Sequence, residues 1–112
     1  MTQHFTFRDE VCDKYDSEVY DEIISAFNSL PVAAIANQQY VCMHGGISPE
    51  LKKVDTINSL DRFVEPPLSG LLCDLLWADP MKDEYAASGS WEDNEARDCS
   101  YYFGKAPTQK LL

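Results

Sequence analysis

Apolar residues recur at helical spacing in the opening part of the chain. Phe7, Val11 and Tyr15 fall four apart, with Asp9 and Glu10 in what would be a first turn, where acids meet unpaired N–H groups, so the pattern predicts a short helix over 5–15. Ser17 reads as the N-cap of a second helix. Val19, Ile23, Ile24 and Phe27 then form one apolar stripe that ends near Leu30, just before Pro31. Beyond Pro31 the period changes. Val32 to Ala36 is a small-residue apolar run, Asn37-Gln38-Gln39 offers a turn, and Tyr40 to Met43 has β-branched and aromatic character, so two paired strands are expected. Ser48-Pro49-Glu50 has the form of a helix start, and Ile57 and Leu60, three apart after Asp55, predict a further short helix. Glu65-Pro66-Pro67 breaks it, the apolar stretch Gly70 to Trp77 ends at Asp79-Pro80, and residues 81–95 read as a polar loop. Cys99 to Phe103 reads as one more strand, and Thr108 to Leu112 begins another helix after Pro107. This order predicts mixed α/β rather than a doubly wound parallel sheet.

Length and composition narrow the reading. At 112 residues and 45% apolar content the chain has material for one small core. Its apolar runs fall far short of the roughly twenty residues needed to cross a bilayer, and the first ten positions carry no leader pattern, so a cytoplasmic protein with no membrane partner is expected. The net charge of −10, from 19 acidic against 9 basic side chains, repels phosphate backbones, so no nucleic acid is expected as partner. Cys12, Cys42, Cys73 and Cys99 are widely spaced, with no C-x-x-C pair, which excludes a zinc knuckle. Cys42 and Cys73 lie inside apolar stretches and are expected to be buried, reduced thiols.

Only His4 and His44 offer imidazoles, and His44, at the mouth of a predicted strand before two glycines, has the more pointed setting. From pattern alone it reads either as a hydrogen-bonded structural residue or as a metal ligand whose companions come from elsewhere. Arg97 stands at the edge of the acidic segment and before the last predicted strand. Its planar fork suits two phosphate oxygens, or else it pairs with Asp93, Glu95 or Asp98. Asp79, after Trp77, is placed to orient a ligand without touching it, while Trp77 and the Tyr101-Tyr102-Phe103 run read as core packing. No phosphate-loop, dinucleotide, serine-hydrolase or H-E-x-x-H motif is present.

Several segments together are more specific than any of these. Leu30-Pro31-Val32-Ala33-Ala34 running to His44-Gly45-Gly46-Ile47-Ser48-Pro49-Glu50 resembles the central signature of the phosphoprotein phosphatase family. Phe5-Thr6-Phe7, Asn37-Gln38-Gln39, Leu60-Asp61-Arg62-Phe63 with Glu65-Pro66-Pro67, Cys73-Asp74-Leu75-Leu76-Trp77-Ala78-Asp79-Pro80, and Arg97 with Cys99-Ser100-Tyr101 are similar to its calcineurin branch. The resemblance covers essentially the whole chain. It implies a partial metallophosphatase β-sandwich with flanking helices, and residues 1–112 as a fragment of a single serine/threonine phosphatase domain.

By the same resemblance His44 would ligate one ion of a dinuclear centre, iron with zinc or manganese, Arg97 would contact the substrate phosphate, and Asp79 would lie near the metals. The family's G-D-x-H-G, G-D-x-V-D-R-G and G-N-H-E segments, which supply most ligands and the general acid, are not in this sequence, so the chain alone is expected to be inactive. Asp98 departs from a usual glycine and is expected to pair with Arg97, crowd the strand or repel phosphate. Implied partners are phosphoserine and phosphothreonine proteins, with calmodulin and a calcium-binding subunit engaging regions outside the chain. The alternative is a non-catalytic interaction or decoy protein. Half a sandwich on its own is expected to leave open strand edges and apolar faces.

Overall fold

The computed structural model describes residues 1–82 and 90–111. The chain forms two compact units, Met1–Leu30 and Pro31–Leu112.

The first unit is a pair of helices, α1 (Phe7–Lys14) and α2 (Ser17–Ser29). The cap of α2 is Asp16 rather than Ser17: its carboxylate accepts the Val19 N–H at 2.8 Å, and Ser17 becomes the first helical residue. Leu30 is extended (φ −66°, ψ 146°), because a residue before proline is pushed out of the helical region. The predicted stripe meets α1 through Phe7, whose ring lies 5.8 Å from Phe27 and 6.4 Å from Tyr20, and Val11 is the buried centre of α1.

In the second unit β1 (Ala33–Ala36) and β2 (Tyr40–Met43) pair antiparallel from Ala33 opposite Met43 to Ala36 opposite Tyr40. Asn37 and Gln38 both turn with positive φ (51° and 55°), and Gln39 N–H closes the loop on Ala36 O at 3.1 Å. Ile35, Tyr40 and Val41 are exposed in this hairpin, and so is Cys42, against the expectation of burial: alternation in a two-stranded ribbon leaves its side chain uncovered.

Leu51, Leu71 and Leu75 form the core, with Val32, Met43, Ile57, Leu60 and Leu111 packed on it. Ser48-Pro49-Glu50 does not start a helix. The Ser48 hydroxyl donates to Asp74 and accepts the Glu50 N–H at 3.1 Å, and the chain makes only a turn that returns Leu51 N–H to Ser48 O at 3.1 Å. A 3₁₀ turn at Val54–Ser59 places Ile57 and Leu60. The apolar stretch Leu71–Trp77 is helix α3, and its residues 71–75 are all buried. Ala78 is extended (φ −64°, ψ 140°) and ends the helix at Trp77, and Pro80 favours extended backbone at Asp79, the first residue of β3 (Asp79–Pro80).

The supposed loop 81–95 contains strand β4 (Trp91–Asp93), while its residues 83–89 lie outside the described ones. β5 (Tyr101–Phe103) is the central strand of a three-stranded sheet, parallel to β3 and antiparallel to β4. The final helix, α4 (Lys105–Leu111), begins before Pro107 rather than after it. Among the described residues no helix is long and apolar enough to cross a membrane.

Candidate functional site

His44 is exposed at the end of β2, where the chain turns onto α3. The Gly45 N–H donates to Leu75 O at 2.8 Å, satisfying a carbonyl in the last turn of α3, and the Gly46 N–H reaches Asp74 O at 3.4 Å. Glycine is required for that approach: a Cβ on Gly45 would lie 2.5 Å from Leu76 C and Trp77 N. The backbone carrying His44 is therefore laid directly on the helix end that leads to Asp79.

A second tie runs through Asp74, only 1% exposed. Its two carboxylate oxygens accept the Ser48 hydroxyl at 2.6 Å and the Ser100 hydroxyl at 2.7 Å. Ser48 follows the H-G-G segment and Ser100 opens β5, so one buried carboxylate, fully engaged, pins both chain segments to α3.

Asp79 and Arg97 meet. The Arg97 Nε donates to Asp79 Oδ2 at 2.9 Å and Nη2 donates to Oδ1 at 3.3 Å, a two-point pair with the guanidinium 6.0 Å over the Trp77 ring. Asp93, Glu95 and Asp98, the partners considered from sequence, are not the acids that hold it, because Asp79 lies within reach of the whole fork. Arg97 holds the Asp79 carboxyl below the usual carboxylate range, and Asn94 assists; Asp79 in turn raises the guanidinium above its usual value. Among the described residues Asp79 engages two of the five guanidinium N–H groups, and the Nη1–Nη2 end of the fork has the geometry for an oxyanion. Trp77, expected in the core, is half-buried and serves as the platform beneath this fork.

Asp98 takes a left-handed conformation (φ 58°) and donates its N–H to Asn94 O at 3.1 Å. Cys73, fully buried, has its thiol pushed up to about 11 by burial and then by the neighbouring Cys99. Sequence reasoning gave Asn94 no role, read Ser48 as a helix start, and named Asp74 and Ser100 only within matching segments. An asparagine set among acids in Trp91-Glu92-Asp93-Asn94-Glu95 was the one visible signal for the first of them.

The structure thus joins Arg97 to Asp79 directly and connects His44 to them through the Gly45 contact with α3 and the Ser48–Asp74–Ser100 bridge. Among the described residues no group of three or more His, Cys, Asp or Glu side chains lies together to hold a metal ion, so these residues do not fit a complete metal cage.

The described part of the chain is mixed α/β, with a histidine followed by two glycines at a strand end and an arginine held at two points by a carboxylate. Residues 6–112 match the calcineurin-like phosphoesterase family, and the chain belongs to it. It is 50% identical to serine/threonine-protein phosphatase 2B catalytic subunit A1 of Saccharomyces cerevisiae, over 100% of this chain and 22% of that protein. With catalytic subunit A2 of the same yeast it shares 52% identity over 74% of this chain and 14% of that one. A solved protein serine/threonine phosphatase from Saccharomyces cerevisiae, described as similar to human phosphatase PP5, superimposes with a TM-score of 0.82 at 30% identity, covering 95% of this chain and 31% of that one. The chain therefore spans about a fifth of the length of the first of these curated relatives. Its fold is the calcineurin-like metallophosphatase fold in part, with helices and small mixed sheets.

Proposed function

We propose that this chain forms part of a single metal-dependent protein serine/threonine phosphatase domain, contributing His44 to the metal centre and Arg97 to capture of the substrate phosphoryl group. The reaction of such a domain is hydrolysis of a phosphoserine or phosphothreonine ester: a water oxygen bonds to phosphorus, the P–O bond to the serine or threonine oxygen breaks, and the leaving oxygen takes a proton. The observation that carries the reading is the two-point Asp79–Arg97 pair, which leaves the outer end of the guanidinium for an oxyanion, while the segment bearing His44 is hydrogen-bonded through Gly45 to the α3 carbonyl of Leu75. Family membership implies a metal-dependent centre, and the metals proposed for it are iron with zinc, or manganese. This chain's own share of the work is to hold the phosphoryl oxygens with Arg97 and to offer one imidazole.

The substrates proposed are phosphoserine and phosphothreonine proteins, and the partners calmodulin and a calcium-binding subunit, by likeness to phosphatase 2B subunits. Four free cysteines, one of them exposed, support a reducing compartment such as the cytoplasm.

The test is a graft. Residues 1–112 replace the corresponding segment of the yeast A1 subunit, and hydrolysis of a phosphoserine peptide is measured with manganese. The native graft should turn over, while His44→Ala and Arg97→Ala should each lower kcat/KM by about a hundredfold or more, the scale on which losing one transition-state contact acts. Equal activity in all three grafts would refute the assignment.

A further inference from the structure

We propose that Asn94 is a positioning residue that aims the Arg97 fork at a phosphoryl group, a role resting on the reading of Arg97 as the phosphate-binding arginine. Asn94 is 2% exposed at the end of β4, and every polar atom of its side chain is used. Its Nδ2 donates to Asp79 Oδ2 at 2.9 Å and to Trp77 O at 3.4 Å, and its Oδ1 accepts the Arg97 backbone N–H at 3.2 Å. One side chain thus grips the backbone of the arginine, the carboxylate that holds that arginine, and the turn beneath both.

The backbone of Asn94 does similar work. Its N–H donates to Ser100 O, and its carbonyl accepts the N–H groups of Arg97 and Asp98, all at 3.1 Å. The loop from 94 to 100 is therefore closed on Asn94.

The two halves of the amide are not interchangeable in this role. Asp79 carries one negative charge and already receives two N–H groups from Arg97. A neutral donor from Asn94 fixes the direction of the carboxylate without competing for the guanidinium, whereas an acid at 94 would repel Asp79 and draw the fork inward. With Asp79 held still, the Nε–Nη2 side of Arg97 stays occupied. The Nη1–Nη2 end then points one way, ready to hold two oxygens of a tetrahedral oxyanion. An exposed arginine held only at its tip would keep its rotamer freedom and lose part of it on each binding event, so pre-orientation favours capture.

The experiment measures the rate at which phenylglyoxal modifies each arginine of the full chain, by mass spectrometry, with and without inorganic phosphate. Arg8 and Arg62 serve as internal references. In the native chain Arg97 should react slowly, and phosphate should slow it further. Asn94→Ser keeps a hydroxyl for the Arg97 N–H but cannot reach Asp79. It should speed Arg97 modification about fivefold and abolish phosphate protection, with Arg8 and Arg62 unchanged. If instead all three arginines accelerate, the fold has been lost, and the isosteric Asn94→Asp decides by the same selective change at Arg97. Native rates and protection at Arg97 in the folded variant would overturn the positioning role. Absence of phosphate protection in the native chain would overturn the phosphate reading of Arg97 itself, an outcome separable from the first because the phosphate-free rates still report whether Asn94 orders the side chain.

Discussion

Substituting Gly45 by alanine probes the joint that carries His44. A new Cβ would sit 2.5 Å from both Leu76 C and Trp77 N and 2.8 Å from Leu76 O. That is about 0.9 Å short of ordinary contact with main-chain atoms that no side-chain rotation can move aside. The strand end must lift away from α3, which breaks the 2.8 Å bond from the Gly45 N–H to Leu75 O. Overpacking of this kind costs about 1–3 kcal/mol and the lost hydrogen bond about 1 kcal/mol more, so a total of about 2–4 kcal/mol is expected. With a urea dependence of about 1–2 kcal/mol per molar for so small a unit, the midpoint should fall by roughly 2 M. The assay is urea unfolding followed by tryptophan emission. Trp77 and Trp91 both lie in the second unit, so the signal reports that unit alone. The native chain is the reference, because Gly70, whose Cβ position has nothing within 4 Å, lies at φ 85° and ψ 178°, a region essentially reserved to glycine where alanine itself costs about 1–3 kcal/mol. A Gly45→Ala midpoint equal to or above that of the native chain would refute the claim that close backbone approach fixes the His44 segment.

Three further outcomes follow from the charge and thiol chemistry. Because Arg97 depresses the folded-state pKa of Asp79, the pair stabilises the chain above the ordinary carboxylate value of 3.8 and its contribution disappears as pH falls through the lower folded value. Arg97 is exposed and Asp79 part-exposed, so solvent screens the pair and the effect is small. Urea midpoints from pH 5 to pH 2 should fall more steeply in the native chain than in Asp79→Asn, and parallel curves would contradict the pair. The Cys73 thiol, raised to about 11 by burial, favours the folded state fully below the unfolded value of 9.0 and loses that contribution as pH climbs toward 11. At pH 8 iodoacetamide should label exposed Cys42 at least tenfold faster than Cys73, and equal labelling would contradict the burial. Asp98→Gly relieves a left-handed backbone and removes a carboxylate one residue from Arg97, so phosphate should protect Arg97 from phenylglyoxal about two- to threefold better; unchanged protection would show that Asp98 does not oppose the anion.

What the sequence made legible were features with a local cause. The α2 stripe, the stop at Pro31, the hairpin around Asn37-Gln38 and the glycines after His44 all follow from periodicity or backbone restriction. Features caused by distant partners stayed hidden. All of the first five residues of α3 are buried, so its apolar run has no period to mark it as a helix. β4 carries two acids in three residues and is a strand only because β5 lies beside it. Ser48 carries every local mark of a helix cap and does accept the Glu50 N–H at 3.1 Å, but its hydroxyl also donates to Asp74, twenty-six residues away, and the turn it closes does not continue as a helix. In the site, Arg97 and Asp79 were singled out separately, but their pairing across eighteen residues, and the Asn94 amide that fixes it, depend on the β3–β5–β4 arrangement. The backbone connection of the His44 segment to α3 was likewise invisible, because it runs through the main-chain carbonyls of Leu75 and Asp74.

The most direct test of the account is turnover of p-nitrophenyl phosphate with manganese, measured in parallel for the 112-residue chain alone and for the same residues grafted into the yeast A1 subunit. The account predicts background hydrolysis by the chain alone and turnover by the graft that collapses on His44→Ala. Turnover by the chain alone that survives His44→Ala would contradict it.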